Sequence, residues 1–319
     1  MKRKIEIVVE LAQRIKGGPE PQIVEAVSRQ NPWFRGSEIA EAVGAICHDM
    51  LNPERLGEWM AHYPTLPVGT PQNVLIVMAG NIPLVGFFDM LCAFMAGHNA
   101  YVKCSSKDRV LMEWVISVIK EIEPSAPIYI SEITNPDRVI ATGGDGAVKH
   151  FGALYANVPT ILRGARHSIA VLSGAEGEAE SLVEDIYMYS GLGCRNVSMI
   201  FVPKGYSLCI PPYDTHPKYR SNYLQQRALL TMQGVKFYDN GSSLFVNSSE
   251  ISSALSIISV CEYEDIGEPR EWIESHDSQI QCIVSSIIDH PWSVDFGQAQ
   301  HPTLFDYADD IDTMKFLTQ

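Results

Sequence analysis

The sequence predicts an α/β fold of parallel sheets with covered faces, preceded by a helical N-terminal segment. Short continuous apolar runs such as Val74-Leu75-Ile76-Val77-Met78 recur along the chain, as doubly buried strands require. Stretches of helical period alternate with them, the rhythm of strand–helix–strand units. The chain has 319 residues with 46% apolar content, enough for about two domains.

The elements follow in order. Up to about Tyr63, Ile23, Val24, Val27, Ile39, Ala40, Val43 and Ile46 recur at helical spacing. Asn31-Pro32 interrupts that pattern, and Ser37 with Glu38 and Glu41 restarts it. Residues 63–71, rich in Pro and Gly, read as a linker. Residues 74–78 form the first strand. A helix with Pro83 in its first turn then runs to Gly97, which caps it. Strands follow at 100–103, 128–130 and 139–141, with helices at 109–122 and 147–155. A second cycle places strands at 169–172, 199–202, 244–246, 257–260 and 281–284, with helices at 179–189 and 222–232. The acidic stretch 305–312 has no clear period, and there is no internal repeat.

Composition excludes several functions. The net charge of −14 argues against a nucleic-acid partner, which needs a basic patch. The longest apolar stretch, 82–96, contains Asp89 and is too short to span a bilayer. The basic start, Met1-Lys2-Arg3-Lys4, is soon interrupted by acids, so no signal peptide is expected. Seven cysteines lie scattered without metal spacing, and CxxC and HExxH are absent. That predicts no metal site, reduced thiols and a cytoplasmic setting.

The most informative stretch is Gly191-Leu192-Gly193-Cys194-Arg195-Asn196-Val197-Ser198. A flexible Gly-x-Gly run before a cysteine lets the backbone approach a substrate closely. If a helix starts here, its N–H groups, together with Arg195, would lower the thiol pKa and populate the nucleophilic thiolate. The bland alternative, a small buried hydrophobe, is preferred for the other six cysteines. Asn81 directly follows the first strand, at the carboxyl edge where doubly wound folds bind ligands. Its amide suits an oxyanion, although a helix N-cap is an equal reading. Lys103 ends the second strand at the same edge, suited to a ribose or phosphate, with a solvated lysine as its rival. The turn Thr142-Gly143-Gly144-Asp145-Gly146 could bring backbone N–H groups near a pyrophosphate, although it is not a GxGxxG fingerprint.

Together these residues carry a resemblance. Gly80-Asn81-Ile82-Pro83-Leu84, then Ala96-Gly97-His98-Asn99-Ala100-Tyr101-Val102-Lys103, placed before a Gly-x-Gly-Cys, resembles the aldehyde dehydrogenase superfamily pattern. Residues 191–198, with Phe296-Gly297-Gln298-Ala299-Gln300 and Asp306-Tyr307-Ala308-Asp309, resemble the LuxC-like acyl-CoA reductase family more closely. The similarity runs from about Asn31 to the C-terminus. It implies an aldehyde dehydrogenase-like fold with a Rossmann-type cofactor domain and an α/β catalytic domain. It further implies Cys194 as nucleophile, Asn81 as oxyanion amide and Lys103 on the adenosine ribose. The loop of Thr142, Gly143, Gly144 and Gly146 would lie over the cofactor phosphates.

The expected organisation is a helical segment 1–66, a nucleotide-binding domain 67–167, a catalytic domain 168–293 and a C-terminal segment 294–319. The last would return to a cleft or an oligomer interface. One departure from the pattern is informative. Oxidising aldehyde dehydrogenases carry a glutamate base about thirty residues before the cysteine, and Leu162 stands in its place. Hydrolysis of an acyl-enzyme needs that base, whereas exchange with a thiolate does not. The other family glutamate, on the nicotinamide ribose, has only Glu250 and Glu262 as weak candidates.

The sequence therefore reads as an NADPH-dependent acyl-CoA reductase, with NADH as the alternative cofactor, acting on an acyl-CoA, specifically a fatty acyl-CoA. Arg163, Arg166, Phe296 and Gly297 are candidates for the substrate or CoA, with a solvated basic turn as the alternative for the arginines. A homo-oligomer, a dimer, and an acyltransferase or synthetase partner are also expected. Two rivals stay open: a cysteine acyltransferase or thioesterase without redox cofactor, and a non-catalytic binding scaffold.

Overall fold

The computed structural model describes residues 1–319. By internal contacts it divides into two compact units, Met1–Ala165 with Thr303–Gln319, and Arg166–Pro302.

The first unit opens with helices α1 (Lys2–Ile15), α2 (Pro21–Gln30), α3 (Gly36–Ala45) and α4 (Pro53–Ala61). Helix α1 is strongly amphipathic and buries Ile7, Val8, Leu11 and Ile15. The alternating elements are β1 (Asn73–Val77), α5 (Phe87–Ala96), β2 (Asn99–Lys103), α6 (Arg109–Ile122), β3 (Ile128–Tyr129), β4 (Arg138–Thr142), α7 (Asp145–Leu154) and β5 (Thr160–Arg163). The strands make an all-parallel sheet in the order β3-β2-β1-β4-β5. In β1, Val74 and Ile76 enter one core with α1, α5 and α6, while Leu75 and Val77 enter another beneath α7. Both faces are covered, which is why the strand reads as unbroken apolar sequence. The C-terminal helix Thr313–Thr318 returns to this unit and buries Met314 and Leu317. Arg138 Nη1 donates to the Phe316 carbonyl at 2.7 Å, and His98 Nε2 donates to the Leu317 carbonyl at 2.7 Å.

The second unit contains β6 (His167–Val171), α8 (Glu178–Tyr187), β7 (Val197–Pro203), α9 (Pro217–Met232), β8 (Phe237–Asp239), β9 (Leu244–Asn247), β10 (Ile257–Tyr263), α10 (Gly267–Ser275), β11 (Ile280–Val284) and β12 (Ser293–Val294). Its sheet runs β12-β11-β6-β7-β10-β9-β8 and is parallel except for β8 against β9. Ile169, Val171, Met199 and Phe201 from the two central strands pack with Ile273 of α10.

Several expectations are corrected. The helix expected from Pro83 begins at Phe87, with Gly86 as its N-cap. Residues 81–86 form turns instead, with Leu84 at φ 56°. Asp108 Oδ2 accepts the Leu84 N–H at 3.0 Å and fixes that turn. Gly86 allows the fold there, since a Cβ would lie 2.4 Å from Met78 Cγ. Helix α9 starts five residues earlier than expected, because His216 caps it through Nδ1 to the Lys218 N–H at 3.0 Å. Strands β5, β8 and β12, helix α10 and the C-terminal helix were not foreseen. They are short, and α10 holds Pro269 among mostly polar residues.

Candidate active site

Cys194 is half-buried in the loop between α8 and β7. The expected helix start is not there: Cys194 and Arg195 form a turn, and strand β7 begins at Val197. The helix end nearest in sequence is the C-terminus of α8, which carries the negative end of its dipole. A helix dipole therefore does not explain a reactive thiol. The loop is instead held by strain and side chains. Tyr189, Ser190 and Gly191 have φ values of 52°, 57° and 67°, and two of them carry a Cβ. Left-handed non-glycine backbone costs energy and persists only where its surroundings impose it.

Those surroundings are specific. Asn196 is 5% exposed, and its Nδ2 donates to the carbonyls of Asp185 (3.2 Å), Ile186 (3.2 Å) and Met188 (3.0 Å). Its Oδ1 accepts the Gly193 N–H at 2.8 Å. Ser168 Oγ, fully buried on β6, donates to the Cys194 carbonyl at 2.9 Å and accepts from the Cys282 thiol at 3.1 Å. Arg195 Nε donates to the Ala299 carbonyl. The Asp185 carboxylate accepts N–H groups from Gly297 (2.7 Å) and Ala299 (2.9 Å). Burial pushes that carboxyl up to about 6, against the lowering by its two N–H donors. Burial also pushes the Cys47 and Cys104 thiols up to about 11, raises Cys92 well above its ordinary value and raises Cys261. Those four stay protonated at neutral pH and are poor nucleophiles.

The first unit gathers the other group at one sheet edge. Asn81 is exposed in the loop after β1, Lys103 closes β2, and residues 142–146 join β4 to α7. Strand order reverses between β1 and β4, the switch point where open α/β sheets bind nucleotides. Gly144 is the N-cap of α7, and a Cβ on Gly144 or Gly146 would meet nothing within 4 Å. The turn therefore has room for a ligand beside helix N–H groups, with Asp145 adding a negative charge in the first turn. Lys103 Nζ is 2.5 Å from Glu132 Oε1. The N-cap reading of Asn81 falls away, because Gly86 takes that position for α5.

The remaining candidates divide. Arg163 is 4% exposed, with Nη1 at 2.8 Å from both Asp89 carboxylate oxygens and Nη2 at 2.7 Å from Thr313 Oγ1. It is a buried structural cation, which corrects its expected part in a substrate- or CoA-docking patch. The reason is strand alternation: Leu162 faces the α7 side, where it packs with Phe151, Tyr155 and Val158, so Arg163 faces the opposite core. Arg166 donates to the Ile280 carbonyl at 2.9 Å and lies 6.0 Å over the Trp292 ring. Phe296 is half-buried, and Gly297, at φ 76°, belongs to the turn whose N–H groups bond Asp185. Asn196, Asp185 and Ser168 were not singled out from sequence. Asn196 had a signal, standing within the cysteine motif, while Asp185 read as one more acid on an amphipathic helix.

Comparison with known proteins places this geometry. Residues 20–210 match the family described as Acyl-CoA reductase (LuxC). A long-chain acyl-protein thioester reductase of Aliivibrio fischeri is 23% identical over 177 residues, 48% of this chain. That match spans only 37% of the relative's length. Among solved structures, an oxidoreductase from Marinobacter aquaeolei is similar with a TM-score of 0.66 at 12% identity, over 94% of this chain and 78% of its own. An NAD-dependent benzaldehyde dehydrogenase from Corynebacterium glutamicum gives 0.60 at 15% identity, over 93% and 76%. An aldehyde dehydrogenase from Bacillus cereus, solved as its NAD+ complex, gives 0.63 at 13%, over 89% and 71%. The fold is thus aldehyde dehydrogenase-like, an α/β architecture with N-terminal helices. No helix is long and apolar enough to cross a membrane. With a family match over 191 of its 319 residues, the chain belongs to the LuxC family of acyl-CoA reductases.

Proposed function

We propose that the chain is an oxidoreductase that reduces an acyl thioester, an acyl-CoA, to the aldehyde through an acyl-cysteine at Cys194. The observation that supports this best is the cysteine loop, strained at residues 189–191 and clamped by Asn196 and Ser168. Strain retained at a nucleophile fits a part in chemistry. The Cys194 thiolate attacks the thioester carbonyl, the carbon–sulfur bond to CoA breaks, and CoA leaves as a thiolate. The Cys194 N–H is a donor for the oxyanion, and the resemblance gives Asn81 of the first unit the role of the second.

The open turn after β4, Lys103 and the switch point fit a nicotinamide dinucleotide on the first unit. When bound, that group supplies the hydride. Lys103 and Lys107, at and just after the end of β2, are the basic residues that support NADPH over NADH on this reading, with Lys103 paired to Glu132. Reduction of the acyl carbon on Cys194 gives a thiohemiacetal oxyanion, whose carbon–sulfur bond breaks to release the aldehyde and return the Cys194 thiolate. Leu162, packed among aromatic and aliphatic side chains, cannot activate water, which supports release by reduction or thiol exchange over hydrolysis.

The test is an acyl-CoA panel assayed with NADPH and with NADH, for the wild type and Cys194→Ala. Aldehyde should form only with an intact Cys194, and the variant should keep its fold. Acyl transfer or thioester hydrolysis without nucleotide, or wild-type turnover by the variant, would refute the reading.

A further inference from the structure

The proposed chemistry assigns Cys194 a task but leaves open what makes its loop competent. We infer that Asn196 and Asp185 form a single positioning clamp for that thiol; this deepens the reading of Cys194 as the acylated nucleophile and rests on it. The clamp has two arms. Asn196 Nδ2 takes three carbonyls at the end of α8, and its Oδ1 takes the Gly193 N–H one residue before the cysteine. Asp185 joins the second arm to the first. Its carbonyl is one of the three held by Asn196, and its carboxylate carries the Gly297 and Ala299 N–H groups. Ala299 in turn accepts from Arg195, one residue after the cysteine. Cys194 is thus held on both sides by elements that converge on one residue of α8.

The chemistry of the amide explains why asparagine stands there. The carbonyls at a helix C-terminus have no partner within the helix and carry its partial negative charge. Left bare beside the loop, they would disfavour a thiolate. The two hydrogens of one side-chain NH2 group are shared among three of them, while the oxygen of the same amide fixes Gly193. Aspartate has no donor to offer, and leucine or alanine has neither function. The same bonds stabilise the left-handed run at 189–191, which would otherwise relax. Asn196 and Asp185 are therefore positioning residues and touch no substrate.

The test uses the full chain and two readouts. The first is the rate of Cys194 alkylation by iodoacetamide between pH 6 and 10, read at that residue by peptide mass spectrometry. The second is steady-state reduction of an acyl-CoA. For Asn196→Ala and Asn196→Asp, alkylation at pH 7 should fall about tenfold with its pH midpoint displaced upward. The value of kcat should fall between tenfold and a hundredfold, the scale of a misplaced reacting group, while KM for the acyl-CoA stays within twofold. An unchanged midpoint with unchanged kcat overturns the clamp. If these variants do not fold, amide hydrogen exchange of the wild type decides. Residues 189–196 should exchange as slowly as α8, and exchange at the rate of an open loop overturns the clamp. A displaced alkylation profile in a protein that reduces no acyl-CoA would refute the reductase reading and leave the clamp standing.

Discussion

Replacing Arg163 by alanine separates two parts this residue could play, and the structure gives the size of the effect. The guanidinium is 4% exposed and spans both oxygens of Asp89 at 2.8 Å, with Thr313 Oγ1 at 2.7 Å. Asp89 is itself 8% exposed. Deleting the cation leaves a buried carboxylate without its charge partner, a loss of about 3–5 kcal/mol. In a domain of this size each kcal/mol moves Tm by about 2–4 °C, so the transition should fall on the order of 10 °C. Removing both charges, as in Arg163→Met with Asp89→Leu, should recover most of that loss, because the desolvation cost leaves with the charges. The assay is thermal unfolding by calorimetry, with KM values for acyl-CoA and nucleotide measured well below the transitions. A wild-type Tm with a KM raised tenfold would mean that Arg163 meets a ligand phosphate and that the buried pair is not its task.

Further expectations follow from the same geometry. Asn81→Ala should lower kcat by on the order of a hundredfold, the usual loss for one oxyanion donor, with nucleotide binding little changed in calorimetric titration. Normal kcat with poor folding would show a structural part only. Leu162→Glu should destabilise the chain rather than create a hydrolase, because the new carboxylate would enter the cluster of Phe151, Tyr155 and Val158. Sustained release of free fatty acid without CoA, from either the variant or the wild type, would contradict this. Asp185 has its carboxyl raised from 3.8 to about 6 by burial and Glu184, opposed by the Gly297 and Ala299 N–H groups and His301. Its ionisation therefore costs folding on the order of 3 kcal/mol, a penalty absent below the unfolded pKa and complete above about pH 6. Asp185→Asn removes the titration, so the Tm of the variant relative to wild type should rise between pH 4 and 7. A pH-independent difference would refute that sign.

Much of the first unit was legible because parallel sheets write themselves as short apolar runs. Strand β1 is apolar on both faces, and α6 places Leu111, Met112, Val115, Ile116 and Ile119 on one side. The sheet edge that gathers Asn81, Lys103 and the glycine turn follows from those runs alone, since each lies at or just beyond the end of a strand. The turn at 81–86 was not legible. Pro83 tolerates a helical first turn, and the reason it does not start one is a hydrogen bond from Leu84 to Asp108, 24 residues away. Arg163 misled for a related cause. A basic residue beside Arg166 and His167 reads as a surface patch, and only the partner on α5 shows that it is buried. Local sequence records propensity and period, but it does not record which distant side chain completes a buried charge.

The cysteine loop shows the same division and changes the argument about reactivity. The Gly-x-Gly-Cys pattern pointed to a nucleophile, and the reason first available was the dipole of a following helix. A strand follows instead, and the nearer helix end has the opposite sign. A thioester does not demand strong activation of its attacker. Cysteine is a few per cent thiolate at neutral pH and intrinsically nucleophilic, and the group it displaces is another thiolate of similar basicity. What such an exchange needs from the protein is a fixed direction of approach and the absence of a competent water. Asn196 and Ser168 fix the backbone around the sulfur's residue, and leucine, not glutamate, stands at the sequence position that the resemblance gives to the hydrolytic base. On the proposed reading, a clamped loop carries the part of catalysis that a helix dipole carries elsewhere. The same reading expects thiols to be preferred over water, because Leu162 carries no group that could activate a water.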